Sequence, residues 1–255
     1  MPQDIVRVLQ ITDPHLFAEA DNNLRGTVTA DTLNAVVDHV LEQRWPADFV
    51  VLTGDLVQDD SPGAYNQFKT IMGRLGMPIY CLPGNHDVQP LMKAALSVEP
   101  WHYCETFVTD DWLFVCIDSC ADDKAGGVVS DDELFRLGAE LTNAPAPHAI
   151  VFLHHPPLKV GSKWLDSVGL RNADEFLEVI MAPGNVRAAV FGHVHQAFDM
   201  IHDGVRIIGT PSSCAQFKPF EDEFALDDKP PAYRRISLHS SGTIDTELIW
   251  LEMDE

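Results

Sequence analysis

Asp13-Pro14-His15, Gly54-Asp55, Gly84-Asn85-His86-Asp87, His154-His155 and Gly192-His193-Val194-His195 gather six of the eleven histidines of this 255-residue chain into five short runs. Carboxylates, imidazoles and an amide oxygen are the donor set of a mid-series divalent or trivalent cation; a thiolate-preferring site would have recruited cysteines. Zinc, manganese and iron all suit such donors. Asp13, His15, Asp55, Asn85, His154, His193 and His195 are too many ligands for one ion that keeps an open position. They suit two ions about 3.5–4 Å apart that share a carboxylate. The chemistry to expect is that of a binuclear metal site.

Each run follows an apolar stretch that reads as a strand: Ile5 to Thr12, Phe49 to Thr53, Ile79 to Leu82, Ile150 to Leu153 and Ala188 to Phe191. In open α/β sheets ligands bind beyond the carboxyl ends of the strands, so these loops should converge on one rim. Between them, Ala30 to Arg44 places Leu33, Val36, Val37, Val40 and Leu41 on one helical face, and Ala173 to Met181 reads as a further helix. Ser130-x-x-Glu133 is a capping box that opens another helix. Glu105 to Thr109 and Trp112 to Ile117 pair through a turn at Asp110-Asp111, and Asp203-Gly204 and Ser241-Gly242 mark later hairpins. The chain therefore reads as one α/β domain over 1–255, β-rich from about residue 198. Glu221 to Pro231, acidic and ending in two prolines, reads as a long surface loop.

Composition narrows the function classes. A content of 45% hydrophobic residues supports a sizeable core, no apolar stretch reaches the length of a membrane span, and Met1 to Asp4 resembles no leader, so a cytoplasmic protein is expected. Five cysteines without CxxC spacing argue against a disulfide framework or a zinc ribbon and for buried free thiols. A net charge of −22 repels nucleic acid and anionic membranes. Small phosphorylated substrates stay open, because bound cations invert the charge locally. The remaining histidines, and the acidic pairs Asp122-Asp123 and Asp131-Asp132, read as structural or solvated groups.

In order and placement the five runs resemble the motifs of the calcineurin-like metallophosphoesterases. That resemblance implies a four-layer α-β-β-α sandwich. It also implies that Asp13, His15, Asp55 and His195 hold one metal while Asp55, Asn85, His154 and His193 hold the other, with Asp55 bridging. His154 is preferred over His155 because it directly follows the strand; His155 is then a neighbouring or substrate contact. The implied mechanism is attack on phosphorus by a hydroxide that two divalent or mixed-valence ions generate, iron and manganese first, zinc, cobalt or magnesium otherwise. His86 resembles the residue that protonates the leaving oxygen, and Asn85, His86 and His155 are the expected substrate contacts. Many relatives carry a carboxylate three residues after the bridging Asp to orient that histidine; here Gln58 stands there, followed by Asp59.

Further stretches, among them Ser162-Lys163-Trp164-Leu165-Asp166, Leu170-Arg171-Asn172 and Thr210 to Pro219, resemble bacterial class III 3′,5′-cyclic AMP phosphodiesterases. The expected reaction is cleavage of 3′,5′-cyclic AMP to 5′-AMP by a monomer or homodimer. The alternatives are another phosphodiester, such as a 2′,3′-cyclic nucleotide or a nucleotide pyrophosphate, or a non-catalytic binding scaffold. Trp164 reads either as a purine-stacking residue or as a packing anchor, Arg171 as a phosphate contact or an ion-pair member, and Lys218 as a surface charge.

Overall fold

Every apolar run that precedes a donor-bearing loop forms a strand in the computed structural model, which describes residues 5–109, 111–121 and 125–252. Met1 to Asp4, Asp110 of the expected turn and the Asp122-Asp123 pair lie outside the described residues. In the first six-stranded sheet β1 (Ile5–Ile11), β4 (Phe49–Thr53), β5 (Ile79–Leu82) and β6 (Trp101–Tyr103) run parallel. β15 (Ala232–His239) and β16 (Ile244–Trp250) continue it antiparallel beyond β1. The second sheet has the order β11 (Phe198–His202), β12 (Val205–Gly209), β10 (Val186–Phe191), β9 (His148–Phe152), β8 (Trp112–Cys116), β7 (Thr106–Thr109). Its four inner strands are parallel and its edges antiparallel. Two small ribbons, β2 (Asn23–Leu24) with β3 (Thr27–Val28) and β13 (Gln216–Phe217) with β14 (Leu226–Asp227), stand apart from both sheets.

The two-residue period of the strands builds the layers. In β4, Val50 and Leu52 pack with residues of α1 (Thr29–Gln43), α2 (Pro62–Met72) and α3 (Gln89–Ala95), whereas Phe49 and Val51 face the second sheet. Phe114, Ile150, Phe152 and Val190 meet them there. On the far side of the second sheet, Val115, Val151 and Phe191 pack with α4 (Asp131–Thr142) and α6 (Ala173–Met181). Helices thus cover both outer faces, and the four-layer α-β-β-α architecture follows. Burial of each large side chain in these layers contributes about 1.5–3 kcal/mol.

Three local expectations change. Leu41 is 42% exposed, because the buried stripe of α1 ends at Val40. Ser130 accepts from Glu133 N (3.2 Å), but the Glu133 carboxylate accepts from Asp118 N and Arg136 instead of closing the capping box. The stretch from Glu221 to Pro231 is not a featureless loop: Leu226–Asp227 pairs with Gln216–Phe217, which brings Phe224 against Phe217 and Trp164. After Phe198 every helix or strand among the described residues is a strand; β11 and β12 extend one sheet while β15 and β16 close the other.

Candidate metal centre

The parallel ladder between β1 and β4 continues into the donor loops. Asp13 N donates to Gly54 O (3.1 Å) and His15 N to Asp55 O (3.0 Å), while Gly192 N reaches His154 O (3.2 Å) across the second sheet. Ten described non-glycine residues have positive φ, and half of them are Asp13, His15, Asp55, His193 and His195, between 48° and 67°. Left-handed backbone costs about 1–3 kcal/mol for such a residue, so its concentration here marks a functional rather than a merely structural turn. Glycine permits the close approach of the loops. A Cβ on Gly84 would lie within 3.0 Å of the Asp55 side chain, and one on Gly192 within 3.0 Å of Asp13.

All seven expected ligands meet. Asp55 Oδ2 lies 3.7 Å from His15 Nε2 and 3.4 Å from His154 Nε2, between two groups of side chains. On one side His195 Nε2 is 3.2 Å from His15 Nε2 and 3.4 Å from Asp13 Oδ1. On the other, His154 Nε2 is 3.2 Å from both Asn85 Oδ1 and His193 Nδ1. Asp13, Asp55 and all the histidines of these two groups are buried.

Hydrogen bonds at the back of the rings determine what faces inward. His15 Nδ1 meets Gln58 Oε1 (2.9 Å), His154 Nδ1 meets Thr53 O (2.8 Å) and His195 Nδ1 meets Ala215 O (2.6 Å). A carbonyl oxygen only accepts, so each Nδ1 carries a proton and each Nε2 turns a lone pair inward. Lone pairs, carboxylates and an amide oxygen therefore confront one another at 3.2–3.7 Å. Such an array is repulsive unless cations lie within it.

The electrostatics agree. Burial disfavours ionised Asp13 and Asp55, yet the facing histidines, His195 and His154 respectively, more than offset it and hold both carboxyls below their usual range. Burial lowers His15 to about 4 and His193 to about 3, which keeps both imidazoles neutral and able to ligate. His154 is opposed by burial too, but Asp55 against its Nε2 raises it to about 9. That pair attracts a positive charge, a proton or a metal ion in its place. The chemistry of the donors fits a binuclear site of buried histidines and aspartates.

Chelation should therefore loosen the whole fold. Loading one site at a hundred times its Kd contributes about 2.7 kcal/mol. We expect EDTA to lower Tm by about 5–10 °C per site and manganese to restore it. A melting curve indifferent to both would remove the metal reading.

The remaining expected residues separate. Asn85 and His86 line a pocket of about 260 Å³ that opens on the cluster, and His86 is the most open of the six site histidines. His86 N donates to Asp55 Oδ1 (2.8 Å). His155 is fully buried beside His154 and His193, with Nδ1 at 2.9 Å from Ser119 Oγ and Nε2 at 3.2 Å from Ala125 O. Burial also holds it neutral. Gln58 itself joins two of the site histidines. Its Oε1 accepts from His15 and its Nε2 donates to His86 Nδ1 (3.2 Å), while Asp59 accepts from Ala18 N and Ser61 Oγ. Arg171 donates to Gly127 O (3.4 Å), and Lys218 pairs with Glu221 at the surface. Leu24 and Arg25 at the tip of β2–β3, and Phe224 near β14, line the pocket without having shown any motif or periodicity in the sequence.

Comparison with known proteins agrees with this geometry. The family described as "Calcineurin-like phosphoesterase" matches residues 6–197. The 3′,5′-cyclic adenosine monophosphate phosphodiesterase CpdA of Escherichia coli K12 is 39% identical over 95% of this chain and 89% of its own. That of Vibrio vulnificus is 36% identical over 97% and 91%, and a 3′,5′-cyclic-nucleotide phosphodiesterase of Nostoc is 33% identical over 95% and 91%. A dimetal phosphatase of Danio rerio shares the fold, with a TM-score of 0.67, 16% identity and coverage of 97% of this chain and 99% of that one. Purple acid phosphatase of yellow lupin shares it with a TM-score of 0.66, 14% identity and coverage of 98% and 54%. No helix among the described residues is long and apolar enough to cross a membrane. With its two mixed sheets and its buried His/Asp clusters, the chain belongs to the calcineurin-like phosphoesterases, as a metallophosphoesterase related to the CpdA cyclic nucleotide phosphodiesterases.

Proposed function

We propose that this protein hydrolyses 3′,5′-cyclic AMP to 5′-AMP, with residues 1–255 acting as one catalytic domain. The observation that carries the hydrolytic reading is a single carboxylate oxygen, Asp55 Oδ2, facing His15 and His154 from two sets of inward acceptors. Asp13, His15, Asp55 and His195 would hold one cation; Asp55, Asn85, His154 and His193 would hold the second, iron and manganese being the pair we favour. When bound, these ions supply a nucleophile at neutral pH and neutralise the phosphate oxygens.

The chain's own groups do the rest. Thr53 O, Gln58 Oε1 and Ala215 O hold the ring protons of His154, His15 and His195 at the back, so the lone pairs keep their aim. Asp55 Oδ1 fixes His86 N, which stations the imidazole at the pocket mouth. Gln58 Nε2–H occupies His86 Nδ1, so the neutral ring carries its proton on Nε2. As the water oxygen bonds to phosphorus and the 3′ P–O bond breaks, His86 Nε2–H donates a hydrogen bond to the departing ribose oxygen, and the proton that oxygen takes up is the one the attacking water releases. The substrate assignment is supported by relatives of that activity that match nearly the full chain.

The test is a product analysis with manganese-loaded protein, offering 3′,5′-cyclic AMP, 2′,3′-cyclic AMP and a nucleotide pyrophosphate side by side. We expect 5′-AMP from the first at a kcat/KM at least about tenfold above the others, a difference of about 1.4 kcal/mol in barrier. Preferential turnover of either competitor would keep the two-metal hydrolase and discard its substrate. A protein that takes up metal and cleaves none of them would support the scaffold reading.

A further inference from the structure

The pocket beside the metal centre has a wall that the phosphate chemistry does not use. Leu24 and Arg25 come from the turn between β2 and β3, Trp164 from α5 (Lys163–Asp166), and Phe217 and Phe224 from β13 and the loop that leads to β14. Three separate parts of the chain thus meet at one place, two of them bringing rings. Phe217 stacks on the imidazole of His195, with centroids 4.0 Å apart and planes 7° from parallel. Trp164 and Phe224 stand edge to face with Phe217 and with each other, at 5.1–5.4 Å. The aromatic wall therefore begins at a metal-facing side chain. A molecule whose phosphate lies at the cluster extends along it.

Arg25 supplies the second half of the case. Its guanidinium sits 4.0 Å above the Phe224 ring, and no carboxylate lies within ion-pair distance of it among the described residues. It takes left-handed backbone, φ 53°, at the turn that points it there. In a chain of net charge −22 with ample acids to pair with, a cation kept over a ring offers hydrogen-bond donors beside a π surface. Planar heterocycles with ring-nitrogen acceptors match that combination. A cavity of about 260 Å³ suits one such group.

We propose that Arg25, Trp164, Phe217 and Phe224 form the subsite for the purine ring of a mononucleotide, and that this wall makes the enzyme prefer nucleotide diesters to simple ones. The inference rests on the phosphodiesterase reading above, and deepens it by naming what recognises the base. Stacking of one base on an aromatic wall contributes enough for about a tenfold effect on removal of a ring or its cation.

Phe224 is 40% exposed and Arg25 lies in an exposed turn, so Phe224→Ala and Arg25→Ala test the wall without opening the core. Calorimetric titration of manganese-loaded protein with 5′-AMP, ribose 5-phosphate and inorganic phosphate reads the subsite directly. We expect wild-type protein to bind 5′-AMP about tenfold more tightly than ribose 5-phosphate, each variant to lose most of that margin, and the affinity for inorganic phosphate to stay the same. The KM for 3′,5′-cyclic AMP should rise in parallel with little change in kcat. Equal binding of 5′-AMP and ribose 5-phosphate to wild type, or variants that bind 5′-AMP as wild type does, would overturn the proposal even with cyclic AMP hydrolysis intact. If cyclic AMP is not cleaved but the variants still lose their margin for 5′-AMP, the subsite stands and the proposed reaction falls.

Discussion

Asp55→Ala is expected to lower kcat/KM for 3′,5′-cyclic AMP by at least about a thousandfold, about 4 kcal/mol of transition-state stabilisation, and to deplete both metals. Its Oδ2 is the atom that faces His15 on one side and His154 on the other, so no neighbour replaces it. The loss has two parts. Removing the carboxylate takes away the charge that holds the cations and also the acceptor for His86 N, which would free the Asn85-His86 segment. Asp55→Asn separates them, since an amide oxygen can still accept from His86 N while the negative charge is gone. We expect the asparagine variant to lose metal nearly as completely as alanine does. Elemental analysis of protein purified from manganese-supplemented medium, run beside the kinetics, checks both. Two ions per chain with normal turnover in Asp55→Ala would show that the cluster is bridged by something else.

Much of this site was legible because its residue types are expensive to bury. Six histidines and two aspartates directly after apolar strands have few uses other than ligation, and parallel strands place such loops on one rim. The two rings of the His154-His155 pair part beyond the end of β9: the first faces Asp55, and the second meets Ser119 and the carbonyl of Ala125 while its ring centroid lies 4.7 Å from that of His193. What the sequence did not reveal depends on contacts between distant segments. Nothing in Gln58 announces that one amide would join His15 to His86, whereas the oxygens of Asp59 accept from Ala18 N and Ser61 Oγ. Arg25 and Phe224 lie in segments with no periodicity, the second within the stretch that reads as a surface loop. Leu41 shows the opposite error: its helical phase matches the apolar face, yet the buried stripe of α1 ends one residue before it, at Val40.

His86→Ala should slow 3′,5′-cyclic AMP hydrolysis by about a hundredfold to a thousandfold while it leaves metal content unchanged. The backbone N–H that bonds Asp55 survives the substitution, so the Asn85 ligand should stay in place. What is lost is the Nε2–H hydrogen bond to the leaving oxygen, set up because Gln58 donates to Nδ1. That hydrogen bond matters in proportion to the basicity of the leaving oxygen. A ribose alkoxide needs it and a nitrophenolate does not, so a bis-nitrophenyl phosphate diester should slow by less than about tenfold. The contrast between the two substrates is the informative quantity, because misfolding or metal loss would depress both together. Equal slowing with both ions retained would assign His86 to orienting the phosphate. Loss of an ion would instead make it a ligand, an outcome the geometry allows a place for, since His86 shares a three-residue donor group with His15 and Asp55. Only a leaving-group-dependent loss fits a ring whose Nε2–H is turned outward because the Gln58 amide occupies Nδ1.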